Sequence, residues 1–290
     1  MTDDTRQAAI ALYDRFTHEG MERRVFMARM TRLAGSAAAA NVLIGSIAAS
    51  PAAAALTDPA DKRLVIRKGP LGFGSPLSGY VAAPKGSKKL PVVMVIHENR
   101  GLNAHIEDVA RRVALAGYFA VAPDLLSPVG GTPANEDAAR DAIGKLDLSK
   151  SVASVVALGE GLKKVDHSNG KLGAVGFCWG GAFVNRLAVA AGDKLDAGVV
   201  YYGPAPDPSE AVKVKAPLLL HYAGLDDRVY ATGRPWVAAL KKAGKSVTVF
   251  DYPGVNHAFN NDTSAERYNK AAADLAWTRT LAFFVKYLKR

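Results

Sequence analysis

Cys178 is the only cysteine among 290 residues. No intrachain disulfide can form, and cysteine pairing says nothing of the redox compartment. Long hydrophobic runs are missing too. The most apolar stretch, 33–49, is short, alanine-rich and interrupted by Gly, Ser and Asn41, which argues against a stable membrane span. Neither a P-loop nor a dinucleotide-binding glycine pattern occurs, and no cofactor is indicated. His97-Glu98-x-x-Gly101 falls one residue short of the zinc-protease motif H-E-x-x-H, because position 101 is glycine. The sequence therefore offers no metal site. Net charge is +10, yet the lysines and arginines are scattered and no nucleic-acid-binding signature accompanies them. A solvated basic surface is the expectation, with attraction of anionic substrates as its weaker functional counterpart. No feature specifies an oligomeric state.

What is present is the composition of a globular enzyme, 49% hydrophobic and 22% charged, with enough chain to bury an ample core. Residues 56–63 read as a polar linker and the catalytic domain as 64–290. Strands are expected over 64–67, 77–83, 91–96, 119–123, 172–177, 197–202, 217–222 and 247–252. Helices are expected over 106–117, 133–146, 149–164, 181–191, 233–243 and 264–288. Strands and helices alternating at this rhythm predict an α/β fold, a mostly parallel central sheet with helices on both faces. No internal repeat and no further domain boundary interrupts it.

Residues 1–55 have a different character. Positions 2–20 suit a short amphipathic helix with Ile10, Leu12, Tyr13 and Phe16 on its apolar side. Arg23-Arg24-Val25-Phe26-Met27 precedes the mild apolar run, which ends in Ser50-Pro51 and the Ala52 to Ala55 cluster. A basic region, a modest apolar region and small residues in that order form the layout of an export signal, here of twin-arginine type. Glu22 stands where such signals usually carry Ser or Thr, and the leader before the arginines is long. The expectation is export to the periplasm or beyond, with a cytoplasmic protein whose N-terminal helical hairpin packs on the domain or a partner as the alternative.

Gly176-Phe177-Cys178-Trp179-Gly180 follows a buried strand and opens a helix. It has the form of the nucleophile elbow G-x-S-x-G with cysteine in place of serine. The glycines let strand and helix approach closely while the central side chain is thrust out beside a helix N-terminus, where the dipole favours thiolate. Asp226 and Asp227 follow the strand over 217–222, and His257 follows the strand over 247–252. Nucleophile, acid and histidine in that chain order, each beyond the carboxyl end of a strand, form a triad pattern. His18 and His105 are expected at the surface, His167 beside a turn, and His221 as a satisfied core residue.

The stretch from Ser168 to Gly181 resembles the elbow of the dienelactone hydrolase family, in the α/β-hydrolase superfamily. His97-Glu98-Asn99-Arg100-Gly101-Leu102, Ala223-Gly224-Leu225-Asp226-Asp227, Gly254-Val255-Asn256-His257-Ala258-Phe259 and Tyr201-Tyr202-Gly203 agree with it. Only the leader lies outside the likeness. The resemblance implies an α/β-hydrolase fold and cleavage of small carboxylic esters or lactones through a thioester. Cys178 is then the nucleophile, His257 the general base and acid, and Asp226 rather than Asp227 the orienting carboxylate. The oxyanion hole falls on the backbone N–H groups of Trp179 and Asn99. Glu98 would sit beside the thiol and take its proton, the alternative being a structural salt bridge with Arg100 or Arg140. Arg140 is the candidate for anchoring an anionic substrate, with Trp179, Tyr202 and Phe259 as an aromatic lining. Asn260-Asn261 stand where the family's second arginine is expected, which weakens the case for a carboxylated dienelactone. A general carboxylesterase and a catalytically idle scaffold are the alternatives.

Overall fold

The computed structural model describes residues 2–48 and 56–289. Eight strands form one sheet: β1 (Leu64–Pro70), β2 (Ser78–Pro84), β3 (Leu90–Ile96), β4 (Phe119–Asp124), β5 (Ser168–Phe177), β6 (Ala197–Tyr201), β7 (Leu218–Ala223) and β8 (Val247–Tyr252). Their spatial order is β1-β2-β4-β3-β5-β6-β7-β8. β2 runs antiparallel to both β1 and β4, and every other pairing is parallel. β3, β5, β6 and β7 are almost continuously buried, as expected of parallel strands covered on both faces.

One face of the sheet is covered by α4 (Ala104–Leu115) and α9 (Lys270–Leu288), which share a core with the buried side chains Val93, Val95, Val175 and Val199. On the other face α6 (Leu148–Lys163), α7 (Trp179–Ala191) and α8 (Asp227–Lys242) pack on Val92, Met94, Ala174 and Leu220. The short helix α5 (Glu136–Gly144) buries Ala139 and Ile143 against Leu126. This is the mostly parallel α/β architecture that the alternation of elements predicts.

Two helix starts differ from the expectation by more than a turn. α8 begins at Asp227, not near Gly233, because Asp226 caps it: its carboxylate accepts from the Val229 N–H at 3.1 Å. α9 begins at Lys270, not 264, capped by Asn269, so 253–269 is a long loop above the sheet. Helical spacing could not locate either cap.

The N-terminal segment forms α1 (Asp3–His18), α2 (Arg23–Ala34) and α3 (Ala37–Ile47). α1 buries Ile10, Leu12, Tyr13 and Phe16, the apolar side expected of it. These meet Phe26, Met30, Leu43 and Ile47 in a small core of their own, where Phe16 stacks on Phe26 at 4.1 Å. Polar contacts tie the bundle to the 253–269 loop. Arg267 reaches Asp14 at 3.1 Å and donates to the Ile47 carbonyl at 3.1 Å, and Ser264 donates to the same carbonyl at 2.6 Å. Arg6 pairs with Glu266 at 3.0 Å. Of the twin arginines, Arg23 pairs with Asp137 while Arg24 is exposed. The Ala52 to Ala55 cluster lies outside the described residues. Residues 56–63, read as a linker, are pinned to α4 where Thr57 donates to Asp108 through both its N–H and its hydroxyl. Among the described residues no helix is long and apolar enough to cross a membrane.

The elbow needs bare backbone at two points. A Cβ on Gly176 would lie 2.1 Å from the Gly180 carbonyl oxygen, and one on Gly180 would lie 2.4 Å from the carbonyls of Ile96 and His97. Backbone cannot yield as a side chain can, so Gly176→Ala must push α7 off the sheet. The expected cost is about 3 kcal/mol, a melting-point fall of about 6–12 °C. Calorimetry showing an unchanged melting point would contradict this packing.

Candidate active site

Cys178 lies between β5 and α7 with φ of 54° and ψ of −116°. A positive φ is costly for a residue with a Cβ. Of the five such non-glycine residues among the described ones, Cys178 and Ala258 line the same pocket and Tyr202 packs against His257 beneath it. The Cys178 N–H donates to the Tyr201 carbonyl at 3.0 Å, which helps hold the strained elbow. Trp179 is the first residue of α7, so its N–H has no acceptor within the helix and is available at the thiol. Asn99 borders the same pocket as Cys178, and its side chain donates to the Thr17 carbonyl at 3.3 Å.

His257 and Asp226 come together as the sequence predicts. Nδ1 of His257 is 2.5 Å from the Asp226 carboxylate, and both residues are buried. Nε2 of His257 has no hydrogen-bond partner. Asp227 instead opens α8. Burial opposes charge on His257, but the charge and hydrogen bond of the Asp226 carboxylate, joined by the Cys178 sulfur when it is ionised, outweigh it and push its pKa up to about 10. Burial likewise pushes the Asp226 carboxyl up, and the charge and hydrogen bond of His257 more than offset it, leaving it below its ordinary value.

Glu98 is buried at the end of β3 and accepts from the Asn261 side-chain amide at 2.8 Å. Asn261 is fixed in turn, since its carbonyl accepts from both the N–H and the hydroxyl of Thr263. Arg100 is engaged by Glu136 at 2.5 Å and by the Tyr13 hydroxyl, and Arg140 pairs with Asp137 at 3.2 Å. Among the described residues neither forms a salt bridge with Glu98. His97 uses both ring nitrogens on backbone: Nε2 accepts from the Leu125 N–H at 3.2 Å, so Nδ1 is the protonated nitrogen and donates to the Glu98 carbonyl at 2.8 Å. It orients the Glu98 backbone and has no nitrogen left for a metal.

Several expectations are corrected. Arg140 is not brought to the thiol: its guanidinium sits 4.6 Å from the Phe16 ring and faces α1. Tyr202 and Phe259 are fully buried and form the floor under His257, with Tyr202 5.0 Å from the His257 ring. Only Trp179 of the three aromatics borders open space. His105 is buried and pairs with Asp262 at 3.0 Å. His221 is the satisfied core residue anticipated, bonded to Tyr252 and Thr280. The largest departure is His18. Expected at the surface, it ends α1 inside the cleft, with Nε2 3.8 Å from Cys178 Sγ and its ring edge-on to His257 at 4.9 Å. Burial, reinforced by the charges of His257 and Arg228, holds His18 well below the ordinary imidazole value, so it is neutral.

His18 divides the space around the thiol. Toward Glu98, Asn261 and Arg267 the remaining volume is about 20 Å³, room for one water. Toward Trp179, Phe183, Arg186 and Arg228 it is about 270 Å³. Arg267, Arg228 and His18 carried no local signal, because each comes to border the cleft only through tertiary packing. Among the described residues one group has the composition of a metal site: His18, Cys178 and His257, whose ligand atoms lie within 4.8 Å of one another.

The His257 pKa has a consequence for pH dependence. Folding raises it above its ordinary 6.5, so the stability it contributes is complete below about 6.5 and is lost as the pH rises through about 10. Ester cleavage that uses this imidazolium as acid is expected to stay level through neutral pH and decline above about 10. A pH–rate profile already falling near neutrality would contradict a charged His257.

Known proteins resemble this chain over most of its length. The family model described as "Dienelactone hydrolase family" matches residues 77–288. A "Putative carboxymethylenebutenolidase" of Saccharolobus solfataricus is 32% identical over 252 residues, covering 74% of this chain and 96% of its own. A protein of the same name from Escherichia coli K12 is 31% identical over 268 residues, covering 83% and 94%. The crystal structure of a "Putative Dienelactone Hydrolase" from Klebsiella pneumoniae superposes with a TM-score of 0.70 at 28% identity, covering 77% of this chain and 99% of that one. This chain belongs to the dienelactone hydrolase family, with an α/β-hydrolase fold and a hydrolase activity on ester bonds.

Proposed function

We propose that the protein opens lactones or cleaves small carboxylic esters through a Cys178–His257–Asp226 triad and a thioester. The observation that carries this reading is His257 itself: one nitrogen is held by Asp226 at 2.5 Å, while the other is unpartnered beside the thiol. In the resting site Cys178 is a thiol and His257 an imidazolium. When substrate enters, the thiol proton passes to the Glu98 carboxylate and the thiolate attacks the carbonyl carbon. The oxyanion is held by the N–H groups of Trp179 and Asn99. The imidazolium then gives its proton to the departing oxygen as the C–O bond breaks. Neutral His257 takes a proton from water, the resulting hydroxide displaces the thiolate from the thioester, and the proton on Glu98 returns to sulfur. One water is consumed and one ester bond lost.

The 270 Å³ compartment beside Trp179 and Phe183 is where the substrate body fits, since the Glu98 side admits only water. Arg186 and Arg228 border that compartment, and neither forms a salt bridge among the described residues. A carboxylate on the substrate would therefore meet positive charge from α7 and α8, not from Arg140.

Cys178→Ala should lose roughly a millionfold in kcat, as removal of a triad nucleophile does in other hydrolases, with an unchanged melting curve. Turnover of a dienelactone or of p-nitrophenyl acetate near the wild-type rate would refute the nucleophile. Glu98→Gln keeps the shape of the side chain but cannot accept a proton. Its kcat should fall about a hundred- to ten-thousandfold with little change in KM. An unchanged kcat would leave Glu98 only as the acceptor for Asn261.

A further inference from the structure

We propose that His18, Cys178 and His257 together bind a thiophilic divalent cation, Zn2+ by its chemistry, and that the bound metal shuts the active site and clips α1 to the body. One thiolate and two imidazoles are the donors that select zinc over the oxygen-seeking magnesium and calcium. Their spacing is close to what zinc requires. Tetrahedral bonds of about 2.3 Å to sulfur and about 2.0 Å to nitrogen place S and N about 3.6 Å apart. Cys178 Sγ and His18 Nε2 are 3.8 Å apart, and all three donors lie within 4.8 Å of one another.

Three further features point to a ligand. His257 Nε2 is buried without a hydrogen-bond partner on a residue only 3% exposed. Its other nitrogen is held by Asp226, the carboxylate–histidine pairing that orients imidazole ligands and strengthens them as donors. The 20 Å³ space bordered by all three donors has room for one water, which suits the fourth position of a three-ligand zinc site. Binding displaces the thiol proton of Cys178 and the Nε2 proton of His257 to solvent, and His18 coordinates as neutral imidazole. The cation then occupies the sulfur lone pair and the nitrogen that hydrolysis needs. That loss of activity rests on Cys178 being the nucleophile, whereas metal binding does not.

The test uses the full chain stripped of metal by a chelator and titrated with Co2+ as a spectroscopic stand-in, then with Zn2+. The expected result is one equivalent of Co2+ giving a thiolate charge-transfer band with four-coordinate d–d absorption, displaced by Zn2+. Zn2+ should raise the melting point and abolish ester hydrolysis, and a chelator should restore it. His18→Ala should weaken Co2+ binding by about a hundredfold or more, with inhibition measured against that variant's own metal-free rate. Cys178→Ser should abolish the charge-transfer band. The proposal is overturned if the wild type shows no thiolate band, or if His18→Ala binds Co2+ as tightly as the wild type. Co2+ and Zn2+ binding as expected with hydrolysis unaffected would uphold the site and refute Cys178 as nucleophile.

Discussion

The close backbone approach of Gly176 to Gly180, with Gly180 under the carbonyls of Ile96 and His97, is the constraint on which the site depends. It lets α7 begin within one residue of the end of β5, so the residue between them has nowhere to go but a positive φ. Cys178 is thereby lifted above the sheet with the start of α7 beneath it. Neighbouring strand ends supply the rest at the same level: Glu98 beyond β3, Asp226 beyond β7 and His257 beyond β8. Parallel strands make this convergence automatic, because their carboxyl ends all lie on one side.

Electrostatics hold the assembled groups in complementary states. Asp226 serves twice, one oxygen capping α8 and the other binding His257, so the helix start and the imidazole are positioned by a single side chain. The buried imidazolium is sustained by that carboxylate. Glu98 is held apart from the arginines by Asn261, while Arg100 is occupied by Glu136 and Tyr13. A carboxylate free of salt bridges beside a thiol can act as a proton acceptor, which a tightly paired one cannot.

The N-terminal helices give this catalytic mouth a roof. Their own core is small, and the contacts of Arg267, Ser264 and Glu266 connect them to the loop that carries His257. Because that loop carries His257 and lines the cleft, the position of α1 and the shape of the cleft are mechanically coupled. His18 is the point of contact, separating a water-sized space from a larger one bordered by Trp179.

Much was legible in sequence because it is local. Buried parallel strands are continuous apolar runs, an elbow needs glycines two residues either side of its nucleophile, and triad residues follow strands in a set order. Period and spacing single out Cys178, the pair Asp226 and Asp227, His257 and the buried side of α1, whereas the choice of Asp226 and the place of Glu98 beside the thiol are what the resemblance to the family implies. Tertiary structure alone decided what depends on contacts across the chain. Arg140 turned toward Phe16 because α1 lies over it, and Tyr202 and Phe259 became floor because His257 folds down on them. His18 met a thiol 160 residues away. No pattern within α1 encodes that meeting, since it follows from where an amphipathic helix comes to rest on a surface made by other strands.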